Sequence, residues 1–383
     1  MLNALNGSIQ AELVRFFNVI DDSYLSTKSV STAAFCKARM KLSHQAFIEL
    51  NDDLVQVFYE AGTIDKWQGH RLLAVDGSVT QLPISDELLE HFGKARPHAA
   101  MPHVRLSQLY DVNNNITLDL QVESHSTGER EMALKHLDKT QTGDLVVYDR
   151  GYPDVWFYKY HKLKNVDFCM CIVKSSNVVK AFLGSGKYSD VVDFPCIEKS
   201  LRRCRKDKIS TESLRLRLVR VDLPGEPEVL VSSLTDLQAY PTALFADLYF
   251  QRWGVEEDYK VLKSRLNIEN YSSVSVEGIL QDLHAKLLTK NLAASAIHDA
   301  KRKMKKPKNK RLYEYKINFT FAINQLKDNV VRFTMKLAEL ELYELLISKI
   351  SKSLSVIRPN RKFVRQDRRN KTNKYPMNYK RMC

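Results

Sequence analysis

Tyr249, Arg252, Glu256 and Lys263 stand 3, 4 and 7 residues apart. On a helix that turns about 100° per residue they project at roughly 0°, 300°, 340° and 320° around the axis, a single narrow stripe. A carboxylate flanked by two cations and a phenol suits a metal site that faces a polyanion. Leu244, Leu248, Val255, Tyr259, Leu262 and Leu266 fall together at roughly 220° to 280° and form the buried face beside it. A helix rich in charge can also show such a stripe through nothing more than an i,i+4 pair of Glu256 with Arg252.

Two upstream aspartates qualify as partners for Glu256. Asp76 closes the apolar run Leu72-Leu73-Ala74-Val75, and Asp149 closes Leu145-Val146-Val147-Tyr148. Each run reads as a buried strand that delivers an acid at its end, although either Asp could simply open a turn. Three carboxylates brought to one point repel one another unless cations lie between them. Hard divalent ions with oxygen ligands are the natural answer, and Mg2+ is the default because it binds through few carboxylates and completes its shell with water and phosphate. A pair of such ions serves the attacking and leaving oxygens of an in-line displacement. The implied chemistry is phosphodiester cleavage or transfer.

The elements that must position these residues are legible in outline. Strands are expected at 72–79, 105–112 and 116–124, with Asn113-Asn114-Asn115 as a hairpin turn between the last two. A helix at 129–139 leads into the Asp149 strand, followed by a helix at 153–163 and a strand at 166–173. The order predicts an α/β fold, a mixed sheet with helices on its faces. Asp149 and Glu256 are 107 residues apart, more than one helix and one strand require. Alternation over Leu214 to Val221 and Glu228 to Ser233 predicts a β-rich insertion there, closed by Asp236 to Pro241. Residues 1–65 read as short helices, with Ser31-Thr32 capping Ala33 to Lys41 and Ser43 capping the next. After Lys263 the pattern is helical to about residue 300, and another helical run spans Ile317 to Ser355.

At 383 residues the chain can bury a sizeable core. Residues 301–383 hold 24 Lys and Arg against 6 Asp and Glu, a surplus of +18, so an overall charge of +14 leaves −4 for residues 1–300. The stretches Lys301 to Arg311 and Arg358 to Arg381 would attract phosphate backbones, or be solvated tails. The six cysteines show no Cys-x-x-Cys pair and no histidine at zinc spacing, and Cys169 and Cys171 read as packed strand residues. His91, His98 and His103 read as loop histidines around a proline rather than as ligands. With no signal core and no apolar run of roughly 18 residues, a reducing cytoplasm and no membrane are expected.

The chain resembles the DDE transposases of bacterial insertion sequences, in the subfamily marked by the Tyr-Arg-Glu-Lys signature. The likeness rests on Ala74-Val75-Asp76-Gly77-Ser78, on Tyr148-Asp149-Arg150-Gly151-Tyr152, and on Leu248 to Lys263. Gly128-Glu129-Arg130-Glu131 and Ile268-Glu269-Asn270-Tyr271 add to it, and it covers most of residues 30 to 300. It implies a ribonuclease-H-like core in which Asp76, Asp149 and Glu256 bind two Mg2+ ions, with Mn2+ as a substitute. It also implies that Tyr249, Arg252 and Lys263 contact the DNA backbone at the transposon end. By the same likeness Lys37, Arg39 and Lys41 belong to a helical DNA-binding domain at 1–65, where the residues alone leave a solvated face equally open. The expected division is then a core at 66–173, a β-rich insertion at 174–240 that helps hold the DNA end, a second part of the core at 241–300, and a basic helical region at 301–383. The expected activity is Mg-dependent strand cleavage and strand transfer at terminal inverted repeats, cut and paste, by a homodimer in a synaptic complex on double-stranded DNA, nucleoid-associated when bound. A nuclease that cuts without joining would use the same acids, and a DNA-binding regulator would need only the basic ends.

Overall fold

The computed structural model describes residues 8–22, 26–61, 63–96, 98–222, 226–304, 312–335 and 340–358. The chain divides into two compact units.

One unit comprises Thr63–Thr80 and Val104–Tyr259 and is built on an eight-stranded sheet. Its strands are β1 (Arg71–Gln81), β2 (His103–Asp111), β3 (Ile116–Ser124), β4 (Asp144–Tyr148), β5 (Asp167–Ile172), β6 (Ser189–Phe194), β7 (Leu214–Val221) and β8 (Glu228–Ser232), in the order β3-β2-β1-β4-β5-β8-β7-β6. β1, β4 and β5 run parallel, whereas β2 pairs antiparallel with β3 and β6, β7 and β8 pair antiparallel along the other flank. A strand between parallel neighbours buries both faces and therefore reads as an unbroken apolar run: Leu145, Val146, Val147 and Tyr148 of β4 are all buried, as are Leu72, Leu73, Ala74 and Val75 of β1 beside it. The expected turn joins β2 to β3, with Asn115 at φ 59° and the Asp111 carboxylate accepting from the backbone N–H groups of Asn113 and Asn114 at 3.1 and 3.0 Å.

Helices α5 (Glu129–His136), α6 (Val155–Lys164), α7 (Asn177–Gly184), α8 (Glu198–Lys206) and α9 (Leu244–Gln251) flank this sheet. The result is the expected α/β architecture, a mixed sheet with flanking helices and a β-rich insertion. The insertion does not make a sheet of its own: β8 pairs with β5 from Cys169 opposite Ser232 to Ile172 opposite Val229, so its strands extend the core sheet. β1 is also longer than its apolar run suggests, since it continues to Gln81. Asp76 lies within the strand, as the expected bounds 72–79 imply, just past the end of the apolar run.

The other unit comprises residues up to 62, Gln81–His103 and everything from Lys260 on. Its helices are α1 (Ile9–Ile20), α2 (Thr32–Arg39), α3 (Gln45–Glu60), α4 (Asp86–Phe92), the end of α10 (Trp253–Ser264), α11 (Val276–Lys303), α12 (Phe319–Thr334) and α13 (Leu340–Lys352). α11 is the hub, packed by α3, α12 and α13, with Phe47 of α3 against Ala285 and Leu288. Ser31 caps α2 by accepting from the Ala34 N–H at 3.2 Å, as expected. The single helical run expected over Ile317 to Ser355 is corrected. Ile317 ends a short strand, β9 (Glu314–Ile317), which pairs antiparallel with β10 (Leu354–Ile357), and Asn318 starts α12 by accepting from the Phe321 N–H at 3.1 Å. Helical periodicity shows the apolar face but not the strand pairing that cuts the run at both ends. Likewise α10 stops at Ser264, and Asn267 at φ 45° precedes α11. Among the described residues no helix is long and apolar enough to cross a membrane.

Candidate active site

The parallel pairing of β1 and β4 aligns two of the acids. Arg71 lies opposite Asp144, Leu72 opposite Leu145, Leu73 opposite Val146 and Ala74 opposite Val147. The same offset carried two residues further sets Asp76 level with Asp149. Side chains alternate along a strand, so Asp76 projects to the face of Leu72 and Ala74, and an extended path puts Asp149 with Leu145 and Val147. Leu72, Leu145 and Val147 share one buried cluster with Cys169, Cys171 and, from α9, Phe245 and Leu248. The signature helix therefore covers the face on which the acids lie.

That helix is not one uniform rod. α9 ends at Gln251 and α10 begins at Trp253, with Arg252 between them in the right-handed helical region (φ −49°, ψ −34°). The path stays helical through the junction, and the expected stripe survives. Gly254 lets α10 approach the end of β2, since a Cβ there would lie 2.9 Å from Val112 Cγ1. Tyr259, assigned from sequence to the buried seam, also donates its hydroxyl to the Asp76 carbonyl at 3.0 Å. Helix and strand are thus pinned beside Asp76.

Arg252 is 6% exposed and donates to Glu256 Oε1 at 3.0 Å. The simple i,i+4 pair therefore forms, and it does not act alone. The Arg252 guanidinium lies over the rings of Tyr249 (5.6 Å) and Trp253 (5.0 Å), and its buried Nε has no hydrogen-bond partner among the described residues. Tyr249 packs on the cluster beneath α9, and burial pushes its phenol well above the ordinary range. Lys263 follows on α10, two helical turns beyond Glu256 and half-buried.

The acids share one electrostatic neighbourhood. Burial pushes the Asp76 carboxyl up to about 6; the Gly77 N–H and Arg252 oppose the rise, and Glu256 and Asp149 add to it. Asp149 keeps its orientation through a hydrogen bond from the Gly151 N–H to Oδ1 at 2.8 Å. A Cβ at Gly151 would stand 3.1 Å from that oxygen, so glycine fits where a side chain would crowd it. Among the described residues no three His, Cys, Asp or Glu side chains are gathered closely enough, as they stand, to hold a metal ion. The donor set still suits a hard cation: three carboxylates in one another's field, one held partly protonated by burial and like charge, are the environment a divalent ion relieves.

The chain's residues 67–292 match the family model described as a transposase DDE domain. The chain belongs to the DDE transposase family. Its relatives include the transposase InsG for insertion sequence element IS4 of Escherichia coli K12, 24% identical over 69% of this chain and 60% of InsG. The transposase for element IS231E of Bacillus thuringiensis subsp. finitimus is 21% identical over 68% of this chain and 62% of its own length. The chain thus spans about three fifths of the relatives it matches. A piggyBac transposase solved as a synaptic complex with hairpin DNA overlaps 74% of this chain and 57% of its own at 11% identity and a TM-score of 0.40, a likeness too loose to bear on the argument.

In this family member the three N-terminal cations part company. Lys37 and Lys41 are exposed, but Arg39 is 8% exposed and turns inward. Its Nε donates to Gln281 and its Nη1 to Ser272, both at 2.5 Å, while Nη2 reaches the Gly278 carbonyl at 2.7 Å and Asp282 at 2.9 Å. The expectation that Arg39 joins its neighbours on a DNA-facing surface is corrected: it clamps α2 to the start of α11. Of the basic C-terminal stretches, 305–311 and 359–383 lie outside the described residues. His103 Nδ1 bonds the Met101 carbonyl oxygen at 2.9 Å and His91 packs on Phe92.

Sequence reasoning missed a second group near the signature. The Cys171 thiol donates to Glu228 at 2.6 Å, and Glu228 accepts from exposed Arg150 at 2.6 Å. These residues come from β5, β8 and the turn after β4, and no local pattern links them.

Proposed function

We propose that this chain is the transposase of an insertion sequence, binding terminal inverted repeats on double-stranded DNA and carrying out metal-dependent strand cleavage and strand transfer. The observation that carries the reading is the alignment of Asp76 and Asp149 on one face of the sheet beneath the helix of Glu256 and Arg252. Asp76, Asp149 and Glu256 would hold the divalent cations, two Mg2+ ions with Mn2+ as a substitute, whose charge polarises the scissile phosphate and supports both oxygens of an in-line displacement. Arg252 is a cation and no ligand. Its guanidinium, braced by two rings and by Glu256, offers a buried donor suited to a phosphate oxygen. Tyr249 supplies a phenol that stays protonated and so can donate, and Lys263 supplies a point charge further along α10. Positioning and charge neutralisation do most of the work in such a displacement.

In the same reading residues 1–65 present Lys37 and Lys41 to the DNA end, the core is split between 66–173 and 241–300 by the insertion at 174–240, and the basic region at 301–383 tracks the backbone. Two copies act together on paired ends. The test is incubation with the flanking inverted-repeat DNA and Mg2+, followed by mapping of 3′ ends. Cut ends followed by joined ends are expected, and both are lost in Glu256→Gln. Cutting without joining would instead make the protein a nuclease, and undiminished products from Glu256→Gln would sink the reading altogether.

A further inference from the structure

Tyr152 lies three residues beyond Asp149, in the turn that leaves β4, where its N–H is 3.5 Å from the Asp149 carbonyl oxygen. Its ring packs against Tyr148 (centroids 5.1 Å apart) and Phe157 (6.5 Å), and the residue is 1% exposed. The hydroxyl is completely buried and has no hydrogen-bond partner among the described residues. Such a group costs stability, and phenylalanine would fill the same space without it. Its neighbour shows the usual arrangement: the Tyr148 hydroxyl, equally buried, lies 2.9 Å from His161 Nε2.

Several acidic groups bear on the Tyr152 hydroxyl: the charges of Glu129, Asp76 and Asp149, after burial itself, hold its ionisation well above the ordinary range. It is therefore a neutral O–H donor at any working pH, set among carboxylate acceptors that it does not reach as they stand. Glu129 is close to the Asp76 strand, since a Cβ at Gly77 would meet its Oε1 at 3.4 Å, but its carboxylate is engaged by Arg105 at 3.1 Å. Asp149 already accepts from the Gly151 N–H. Asp76 accepts from the Gly77 N–H and, among the described residues, from no side chain, and its charge bears on the Tyr152 hydroxyl more strongly than that of Asp149.

We propose that Tyr152 is a positioning residue of the metal centre, its hydroxyl a donor held in reserve that engages the Asp76 carboxylate when Asp76 and Asp149 close on a divalent cation. The inference rests on the metal-dependent reading above and deepens it. Donors of this kind fix the orientation of a ligating carboxylate, and their loss typically weakens metal binding by about 10- to 100-fold.

The experiment compares the wild-type chain with Tyr152→Phe, Tyr148→Phe and Glu256→Gln, measuring the melting temperature without metal and the Mn2+ dissociation constant by electron paramagnetic resonance titration. Tyr152→Phe is expected to melt at or above the wild-type temperature without metal and to bind Mn2+ about tenfold more weakly. Tyr148→Phe should do the reverse, melting lower with unchanged Mn2+ affinity. Wild-type Mn2+ affinity in Tyr152→Phe overturns the proposal, as does a lower melting temperature without metal, which would mean that the hydroxyl is already satisfied. If wild type binds Mn2+ and Glu256→Gln does not, those two results overturn this inference alone. If wild type binds no Mn2+ at all, the metal-dependent reading falls with it.

Discussion

Two buried arginines divide this molecule by what their donors do. Arg39, at the end of α2, places Nε, Nη1 and Nη2 on Gln281, Ser272, the Gly278 carbonyl and Asp282. Arg252, between α9 and α10, is buried to the same degree but bonds only Glu256 among the described groups, and its Nε is left without a partner. A guanidinium whose donors are satisfied within the fold is a clamp, because nothing remains to offer a ligand. One that is held in place by two aromatic rings and a single carboxylate retains donors for a phosphate. Helical spacing by itself singles out Arg252, whereas Arg39 is grouped with Lys37 and Lys41 only by its nearness to them in sequence.

The sharpest test exchanges the two losses. Arg252→Ala should reduce single-turnover DNA cleavage by about 10²- to 10³-fold and leave urea denaturation nearly unchanged. Arg39→Ala should cost roughly 3–5 kcal/mol of stability, because the partly buried Asp282 loses its ion pair and Gln281 and the Gly278 carbonyl lose a charged donor, while the protein that remains folded still cleaves. Equal stability losses in the two variants would erase the distinction between clamp and reserve.

Asp76 offers the next effect. Its carboxyl titrates at about 6 in the folded chain against an ordinary 3.8. A raised carboxyl binds its proton more tightly in the folded state, so its contribution to stability is fully present below about pH 4 and is lost as pH rises through 6. Asp76→Asn should therefore make the metal-free protein more stable than wild type by roughly 2–3 kcal/mol at pH 7.5, and by nothing at pH 4. Denaturation curves at the two pH values decide this; a gain independent of pH would point to packing instead.

Smaller effects probe the frame around each arginine. Gly254→Ala should destabilise by about 1–3 kcal/mol, since the new methyl meets Val112, and should lower cleavage through the tilt of α10; an unchanged unfolding midpoint would show that the helix has room. At the other region Lys37→Ala and Lys41→Ala should leave stability unaltered and each reduce the salt dependence of DNA binding by a slope of about 0.9. Gel-shift titrations at several salt concentrations measure it, and an unchanged slope would remove these lysines from the interface.

Much of this site is local, and local features are what a sequence states well. The stripe of Tyr249, Arg252, Glu256 and Lys263 follows from the pitch of a helix, and it persists although the helix is split at Arg252, because Arg252 keeps helical dihedrals. The apolar runs before Asp76 and Asp149 announce buried strands for the same reason that Leu72 to Val75 are fully buried. The run of β1 past Asp76 was legible to residue 79, and only its last two residues, Thr80 and Gln81, were missed. The division of the C-terminal run into α12 and α13 was hidden by an apolar periodicity that both helices share. Arg39 was misplaced because its partners Ser272, Gly278, Gln281 and Asp282 lie more than 230 positions away, and no local pattern marks a donor whose acceptors are that distant.

By itself the sequence determined the acids, their helical and strand settings and the chemistry that such residue types can support, because periodicity and residue type act over a few neighbours. Only the tertiary structure decided the register that sets Asp76 level with Asp149, the joining of the insertion to the core sheet through β5 and β8, and which buried polar groups are satisfied. Those depend on contacts between segments far apart along the chain, where the energy of a pairing is fixed by both partners and cannot be read from either one.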